Sequence, residues 1–508
     1  MQIISIFLYS LILAIWFCYL PRESWDPRSY HYLFLLGAVG IWRYGWLFCN
    51  VARGIFYRRV YYPGLKKTAL RHQDPRFPEE IFLLITTYRI PTSISAEVYR
   101  EAFKEAEACG RKVTVVASVV TRDEEFLVKE IFCGLDLSSN VRLVVVRFVG
   151  TGKRDGLAVA MRAMLRIRPD LRRCMVILMD GDSVLTKGVI NRCAEMLGLS
   201  EKIGAVTTNE EAILEARTFT ERLYKEWYHL RFALRHLYMS SHSLSHRVLT
   251  LTGRMSAFRG EFFMDKEFVD TVQHDHFEHW RLGWIRFLTG DDKSTWFYLI
   301  SKGYEMLYLP DVMVYTRESP PSRSFLVGAT QLMLRWSGNS LRATYRAMKI
   351  PRRTMGTFLW WVIRDQRISF WTSLYGLVGS VLASFVWGIK VFWVYLWWVA
   401  FTRLLVSLYL GVTRGLFFIS WPSLLYFIQI YGSLVKIYII NHLYRQKWTR
   451  QATVLRYTGK TWTNLYRWLG SHLSMGFQFL LYIIFMGFLV GLWGAEDLRR
   501  WGWWLLGG

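Results

Sequence analysis

Six apolar stretches, at 1–20, 32–50, 368–387, 391–410, 416–440 and 473–493, set what this 508-residue chain can fold into. About 20 helical residues span the hydrocarbon of a bilayer. The stretches fall into two groups, and residues 76–325 between them contain nothing of that kind. The pattern predicts a membrane protein carrying one sizeable soluble domain. Residues 1–20 lack a basic n-region and a small-x-small cleavage site, so they read as an uncleaved span. Arg53, Arg58, Arg59, Lys66, Lys67, Arg71 and Arg76 follow the second stretch, which places the soluble domain on the cytoplasmic side. Residues 445–467 are also basic although three apolar stretches precede them. Pro422 and Gly432 interrupt 416–440, so that stretch is expected to lie in the interface or to re-enter.

A net charge of +25 raises the question of nucleic acid. Much of the excess flanks apolar stretches, where anionic lipid and insertion rules account for it, so a lipid bilayer and no nucleic acid is the expectation. No Asp or Glu occurs between Asp26 and Asp74 or between Asp365 and Glu496, yet Arg43, Lys390, Arg403 and Lys436 lie in those intervals. An intramembrane cation without a carboxylate is costly unless it faces a pore or snorkels. Snorkelling accounts for Lys390 and Arg403 as well as a pore does; Arg43, mid-stretch, is the stronger pointer to a polyanion path. The six cysteines show no CxxC spacing, so packed thiols are expected.

Within the soluble part, 80–88, 112–120, 141–149 and 175–179 are β-branched runs bounded by turn residues, and helical patterns such as 95–108 and 156–168 lie between them. Alternation of this kind predicts a doubly wound α/β sheet with ligands at the carboxyl ends of its strands. Asp180 and Asp182, in "MDGDSVL", sit at one such end. Acidic turn residues commonly end strands, and a divalent metal on a diphosphate is the functional alternative. "GTGKRDG" (150–156) turns into a helix whose N–H groups favour an anion, with Lys153 and Arg154 suited to phosphate. Asp291 and Asp292 in "FLTGDDKS" precede a predicted helix and read equally as N-terminal caps. In 332–350, Arg335, Arg342 and Arg346 share one helical face and Trp336 and Leu341 another, as an interfacial amphipathic helix does. "HDHFEH" (274–279) has poor spacing for a metal site on one helical face.

Taken in order, "LGAVGIWRY" (36–44), "GTGKRDGLA" (150–158), "DGDSVL" (180–185), "TTNE" (207–210), "RVLTLTGRMSAFR" (247–259), "HWRLG" (279–283), "FLTGDDKS" (287–294), "DQRISFWTSL" (365–374) and "KWTRQ" (447–451) resemble the processive family-2 membrane glycosyltransferases. That group includes cellulose, chitin and hyaluronan synthases, and the resemblance is closest to the catalytic subunits of bacterial alginate (poly-mannuronate) polymerases. It implies a GT-A-like α/β glycosyltransferase domain between groups of transmembrane helices: a helix pair at 1–52, the cytoplasmic domain at 53–324, amphipathic interface helices at 325–367 and a membrane region at 368–508. Asp182, with Asp180, would ligate Mg2+ or Mn2+ on the donor diphosphate. Lys153 and Arg154 would face phosphate, and Asp292, beside Asp291, would be the catalytic base. Arg335 and Trp336 match the Arg-Trp end of the family's QxxRW motif. Trp448, Thr449 and Arg450 match its gating WxTR, and with Arg43 and Arg403 would border the polymer path.

Two departures stand out. Leu332 occupies the Gln position of QxxRW, with Gln331 one place out of register, so acceptor contacts do not carry over. The Asp-Asp-Gly that reads the base in UDP-sugar synthases is absent from "VASVVTRDEE"; a guanine donor would explain this, with Asp123 a candidate for the base contact. The implied reaction is inverting, β-1,4 polymerisation of mannuronate from GDP-mannuronate, with the growing polymannuronate passed across the inner membrane of a bacterium. Implied partners are a separate cyclic-di-GMP-binding membrane subunit and other export-complex proteins. The alternatives are a same-fold synthase using UDP-sugars and a non-catalytic polysaccharide conduit.

Overall fold

The computed structural model describes residues 2–22, 37–72, 77–149, 152–446, 461–494 and 496–497, so Trp448, Thr449 and Arg450 lie outside the described residues. Two compact units emerge. One gathers the described residues of Met1–Cys49, Asp365–His442 and Tyr457–Gly508; the other those of Asn50–Arg364 and Leu443–Arg456.

The second unit is organised by its β-branched runs. Strands Glu80–Thr86 (β1), Lys112–Val119 (β2), Val141–Arg147 (β3) and Cys174–Asp180 (β4) pair in parallel, in the order β3-β2-β1-β4. Near-continuous apolar sequence suits strands covered on both faces, and β1 is buried from Ile81 through Thr86. Helices Thr92–Ala108, Arg122–Cys133 and Lys153–Arg166 supply the crossovers. Strand order reverses between β1 and β4, which makes their carboxyl ends a ligand-binding crevice.

Beyond β4 the sheet is mixed, where strand–helix alternation alone had predicted a doubly wound one. Ser183–Leu185 (β5), Ile203–Ile213 (β6), Met255–Arg259 (β7) and Glu305–Arg317 (β10) complete the order β3-β2-β1-β4-β7-β6-β10-β5. β7 runs antiparallel to both β4 and β6. It therefore starts where β4 ends, Met255 opposite Met179, and this brings the residues just before it to the crevice. A separate hairpin pairs His276–His279 (β8) with Gly283–Arg286 (β9).

Helix Phe325–Ala347 carries the arginine face that the spacing marked out, and part of that face turns into the unit. Arg342 is 2% exposed and donates to the Leu443 carbonyl at 3.1 Å and to Asn339 Oδ1 at 2.8 Å. Arg346 pairs with Asp275 through both its terminal nitrogens, at 2.5 and 2.7 Å.

Among the described residues four helices are long and apolar enough to cross a membrane: Thr357–Trp387, Lys390–Arg414, Trp421–Asn441 and Trp462–Leu489, with Ile3–Cys18 a shorter apolar helix. Trp421–Asn441 is unbroken, against the expectation from Pro422 and Gly432. Pro422 falls in the first turn, where its missing N–H costs no hydrogen bond.

The first unit also answers the question of bare cations. Arg43 donates to Asp365 at 3.0 Å, with a second nitrogen 3.0 Å from the other carboxylate oxygen. It is therefore paired, by the last acid before the long acid-free interval. Arg403 is held by Gln429 Oε1, at 3.1 Å from Nε, and Gln429 in turn donates to the Ser373 carbonyl at 3.0 Å. Lys436 lies 5.6 Å from the Phe370 ring and Lys390 is exposed at a helix start. The premise of partnerless intramembrane cations fails for Arg43, and Arg403 rests on a neutral amide.

Candidate active site

A cavity of about 610 Å³ opens at the β1–β4 crevice, and its wall includes Lys153, Arg154, Asp180, Asp182, Asp291, Asp292, Arg335 and Trp336. Asp180 and Asp182 arrive on the turn after β4. The Lys153 ammonium, at the start of its helix, sits between Asp180 Oδ1 at 2.6 Å and Asp291 Oδ2 at 2.8 Å. Burial, opposed by Lys153 and reinforced by Asp182 and Asp291, pushes the Asp180 carboxyl up to about 6. Burial pushes Asp291 the same way, but Lys153 and Arg154 outweigh it and hold this carboxyl below its ordinary range. For Lys153 the burial cost is exceeded by its two carboxylate partners, which raise it above the usual lysine range.

Asp291 and Asp292 open helix Asp291–Ser301, behind Gly290 at φ +88°. That left-handed turn favours glycine, and a Cβ there would also lie 2.9 Å from Asn339 Cγ. Asn339, one turn beyond Arg335 and Trp336, accepts from Thr289 at 3.0 Å. The arginine–tryptophan helix thus fixes the acidic turn. Asp292 keeps 22% of its side chain exposed, with Lys293 Nζ 3.4 Å away, whereas Asp291 keeps 11%. Asp292 is the more available proton acceptor.

Arg154 is placed otherwise than expected. It is 6% exposed, and its guanidinium donates to the carbonyls of Thr271, Val272 and Thr289 and to Ser294 Oγ at 2.9 Å. Four such bonds make it a strut under the acidic turn, and its one remaining donor, Nε–H, is buried. Asp123 is exposed in the first turn of helix Arg122–Cys133 and is absent from the cavity wall, so the structure does not bring it to a donor base there. Asp275, of the His/Asp cluster at 274–279, accepts from Ser294 at 2.5 Å and pairs with Arg346.

Sequence reasoning passed over several wall residues. A Cβ on Gly253 would sit 3.0 Å from Lys153 Nζ and 3.5 Å from Asp180 Oδ2. Arg254 donates to Glu318 at 2.7 Å and to Glu210 at 3.3 Å. Arg231 and Arg235 lie four residues apart on helix Phe219–Ser243, one turn beyond the buried Trp227, a stripe that periodicity shows but whose facing element only the fold supplies.

Among the described residues no three His, Cys, Asp or Glu side chains converge as a metal site. The donor set on offer is the Asp180–Asp182 pair. Hard oxygen ligands in this number suit Mg2+ or Mn2+, which keep positions for phosphate and water. Paired carboxylates and a buried lysine thus line a polar crevice at the switch point of the sheet.

Residues 78–339 match the family described as Glycosyltransferase like family 2, and the chain belongs to that family, with its GT-A-like α/β domain. A protein named Glycosyltransferase alg8 from Pseudomonas syringae pv. tomato is 43% identical over 436 residues, 86% of this chain and 87% of that one. Another of the same name from Azotobacter vinelandii is 41% identical over 438 residues, again 86% and 87%. A solved mannosyltransferase from Pyrobaculum calidifontis, in complex with GDP-Man and Mn2+, is 16% identical with a TM-score of 0.43, covering 80% of this chain and 98% of its own.

Proposed function

We propose that this protein is a processive, inverting glycosyltransferase that polymerises β-1,4-linked mannuronate from GDP-mannuronate and passes the chain across the bacterial inner membrane. The observation that carries the reading is one cavity holding the Asp180–Asp182 pair, Lys153, Asp292 and the Arg335–Trp336 step together. Support for the sugar comes from the resemblance to alginate polymerases and from relatives named Glycosyltransferase alg8.

Asp292 takes the proton of the acceptor's 4-hydroxyl as that oxygen attacks C1 of the α-linked donor and GDP departs, which inverts the anomeric centre. General base assistance of this kind is worth about 10²–10⁴-fold. Asp182 and Asp180 would hold Mg2+ or Mn2+, which would supply charge neutralisation on the diphosphate. Lys153 exchanges a carboxylate for phosphate oxygen when the donor enters, and Arg335 closes over the leaving group. The catalytic domain faces the cytoplasm, and a separate cyclic-di-GMP-binding subunit and further export proteins complete the assembly.

The test is polymer synthesis in membranes that contain the protein and its regulatory partner, with Mg2+ and either GDP-mannuronate or UDP-sugars. Polymer from GDP-mannuronate alone, abolished in Asp292→Asn, is the expected result. Polymer only from UDP-sugars would overturn the donor assignment, and synthesis undiminished in Asp292→Asn would return the chain to a conduit role.

A further inference from the structure

Most charges in the cavity wall are already matched. Lys153 holds Asp180 and Asp291, Arg254 holds Glu318 and Glu210, and Arg235 also bonds Glu210. Arg231 differs. Its guanidinium carbon lies 3.5 Å from the Trp336 ring centroid and 5.1 Å from that of Trp227, and among the described residues it forms no ion pair. The acid whose charge acts on it, Glu318, accepts from Arg254 at 2.7 Å and from Tyr228 at 3.3 Å. A guanidinium stacked flat on an indole spends its face on the ring, and its N–H edge stays available for a planar, two-oxygen acceptor. Burial, opposed by Tyr228 and Glu318 and reinforced by Arg254 and Arg335, lowers the Arg231 pKa to about 9, which leaves the guanidinium cationic at neutral pH.

We infer that Arg231 is a specificity residue that takes the carboxylate of a uronate ring in this cavity, so that the site selects charged over neutral sugars. The inference rests on the uronate reading above and deepens it. Trp336 serves as the rigid platform: it keeps the guanidinium edge in place, so little side-chain freedom is lost when a carboxylate arrives. Diphosphate recognition stays with Lys153 and the Asp180–Asp182 turn. A neutral hexose would leave Arg231 desolvated without an acceptor, and that penalty is the discriminating force.

The experiment uses the full chain in detergent, with GDP, β-1,4-tetramannuronate and neutral β-1,4-mannotetraose as probes, and compares wild type with Arg231→Gln, Arg231→Met and Arg231→Lys. A charged hydrogen bond lost in a dry site predicts a ~10–100-fold fall in affinity for the uronate tetramer. Affinity for mannotetraose and GDP should stay at the wild-type value, and Arg231→Lys should recover part of the loss. If the carboxylate belongs to the donor, the KM for GDP-mannuronate rises by that factor and tetramer binding is unmoved. Met keeps the alkyl packing on Trp336, so equal charged and neutral losses in Gln and Met would assign Arg231 to packing and overturn the inference. A fall in GDP affinity would overturn it by placing Arg231 on the diphosphate. Wild-type discrimination for the charged tetramer without polymer from GDP-mannuronate would instead refute the proposed donor and leave Arg231's role standing.

Discussion

Two adjacent aspartates, alike in sequence, are made unlike by one lysine. Asp291 is held ionised by Lys153 at 2.8 Å and by Arg154, while Asp292 remains more exposed. The expected outcome is that Asp292→Asn lowers kcat by about 10²–10⁴-fold with GDP affinity intact, whereas Asp291→Asn weakens donor binding through a displaced Lys153. Steady-state kinetics with titration of GDP separates the two. Gly253→Ala places a methyl against Lys153 Nζ at 3.0 Å, and a raised KM for the donor is the measurable result. His242 gives a pH prediction of a different kind. Burial, with Arg53 nearby, lowers its folded pKa to about 3. The unfolded chain titrates near ~6.5 and so binds the extra proton first. Its contribution is whole above that value and is lost as pH falls toward 3, by up to about 1.4 kcal/mol per unit. Thermal unfolding from pH 7.5 to 5 should show a falling Tm, with a shallower slope in His242→Leu.

At the level of elements, the acidic turn is aimed by its neighbours. Helix Asp291–Ser301 is held at Ser294 by Arg154 and by Asp275, Asp275 is held in turn by Arg346, and Asn339 fixes Thr289 just before the helix. Arg346 and Asp275 keep 13% and 4% of their side chains exposed. Removing one partner of such a pair leaves a desolvated charge behind, at about 3–5 kcal/mol. Asp275→Ala should therefore lower Tm and also reduce polymer synthesis although it lies outside the cavity wall. The double change Asp275→Ala with Arg346→Met should recover stability, measured by the same thermal unfolding. Recovery without return of activity would mean that the pair orients the turn as well as holding it.

For the molecule as a whole, an apolar unit with membrane-length helices and an α/β unit each follow their own rules. In the apolar unit, Arg43 and Asp365 meet from opposite ends of the sequence, with 20% and 6% of their side chains exposed. Arg43→Ala should destabilise the detergent-solubilised protein more than the double change Arg43→Ala with Asp365→Ala, since only the single change leaves a bare buried carboxylate. Equal losses would show that the carboxylate left behind by the single change carries no penalty.

The sequence by itself determined what local pattern and composition control. Apolar length marked membrane-length helices at 391–410 and 416–440, β-branched runs marked β1 to β4, and Asp180 and Asp182 stood at a strand end because hydrophobic periodicity stops there. Tertiary structure alone decided which charges were already taken. Arg154 is adjacent to Lys153 in sequence, yet a single helical step of roughly 100° sends one guanidinium under the acidic turn and the other ammonium into the cavity. Arg43 looked bare because its partner is 322 positions away. Gly253 and Asn339 carry no signal of their own, Arg231 shows only as part of a helical stripe, and antiparallel β7 and the packing of Phe325–Ala347 bring them together at the crevice. Ion pairing and close approach are properties of distance in space, and a one-dimensional pattern does not encode that distance.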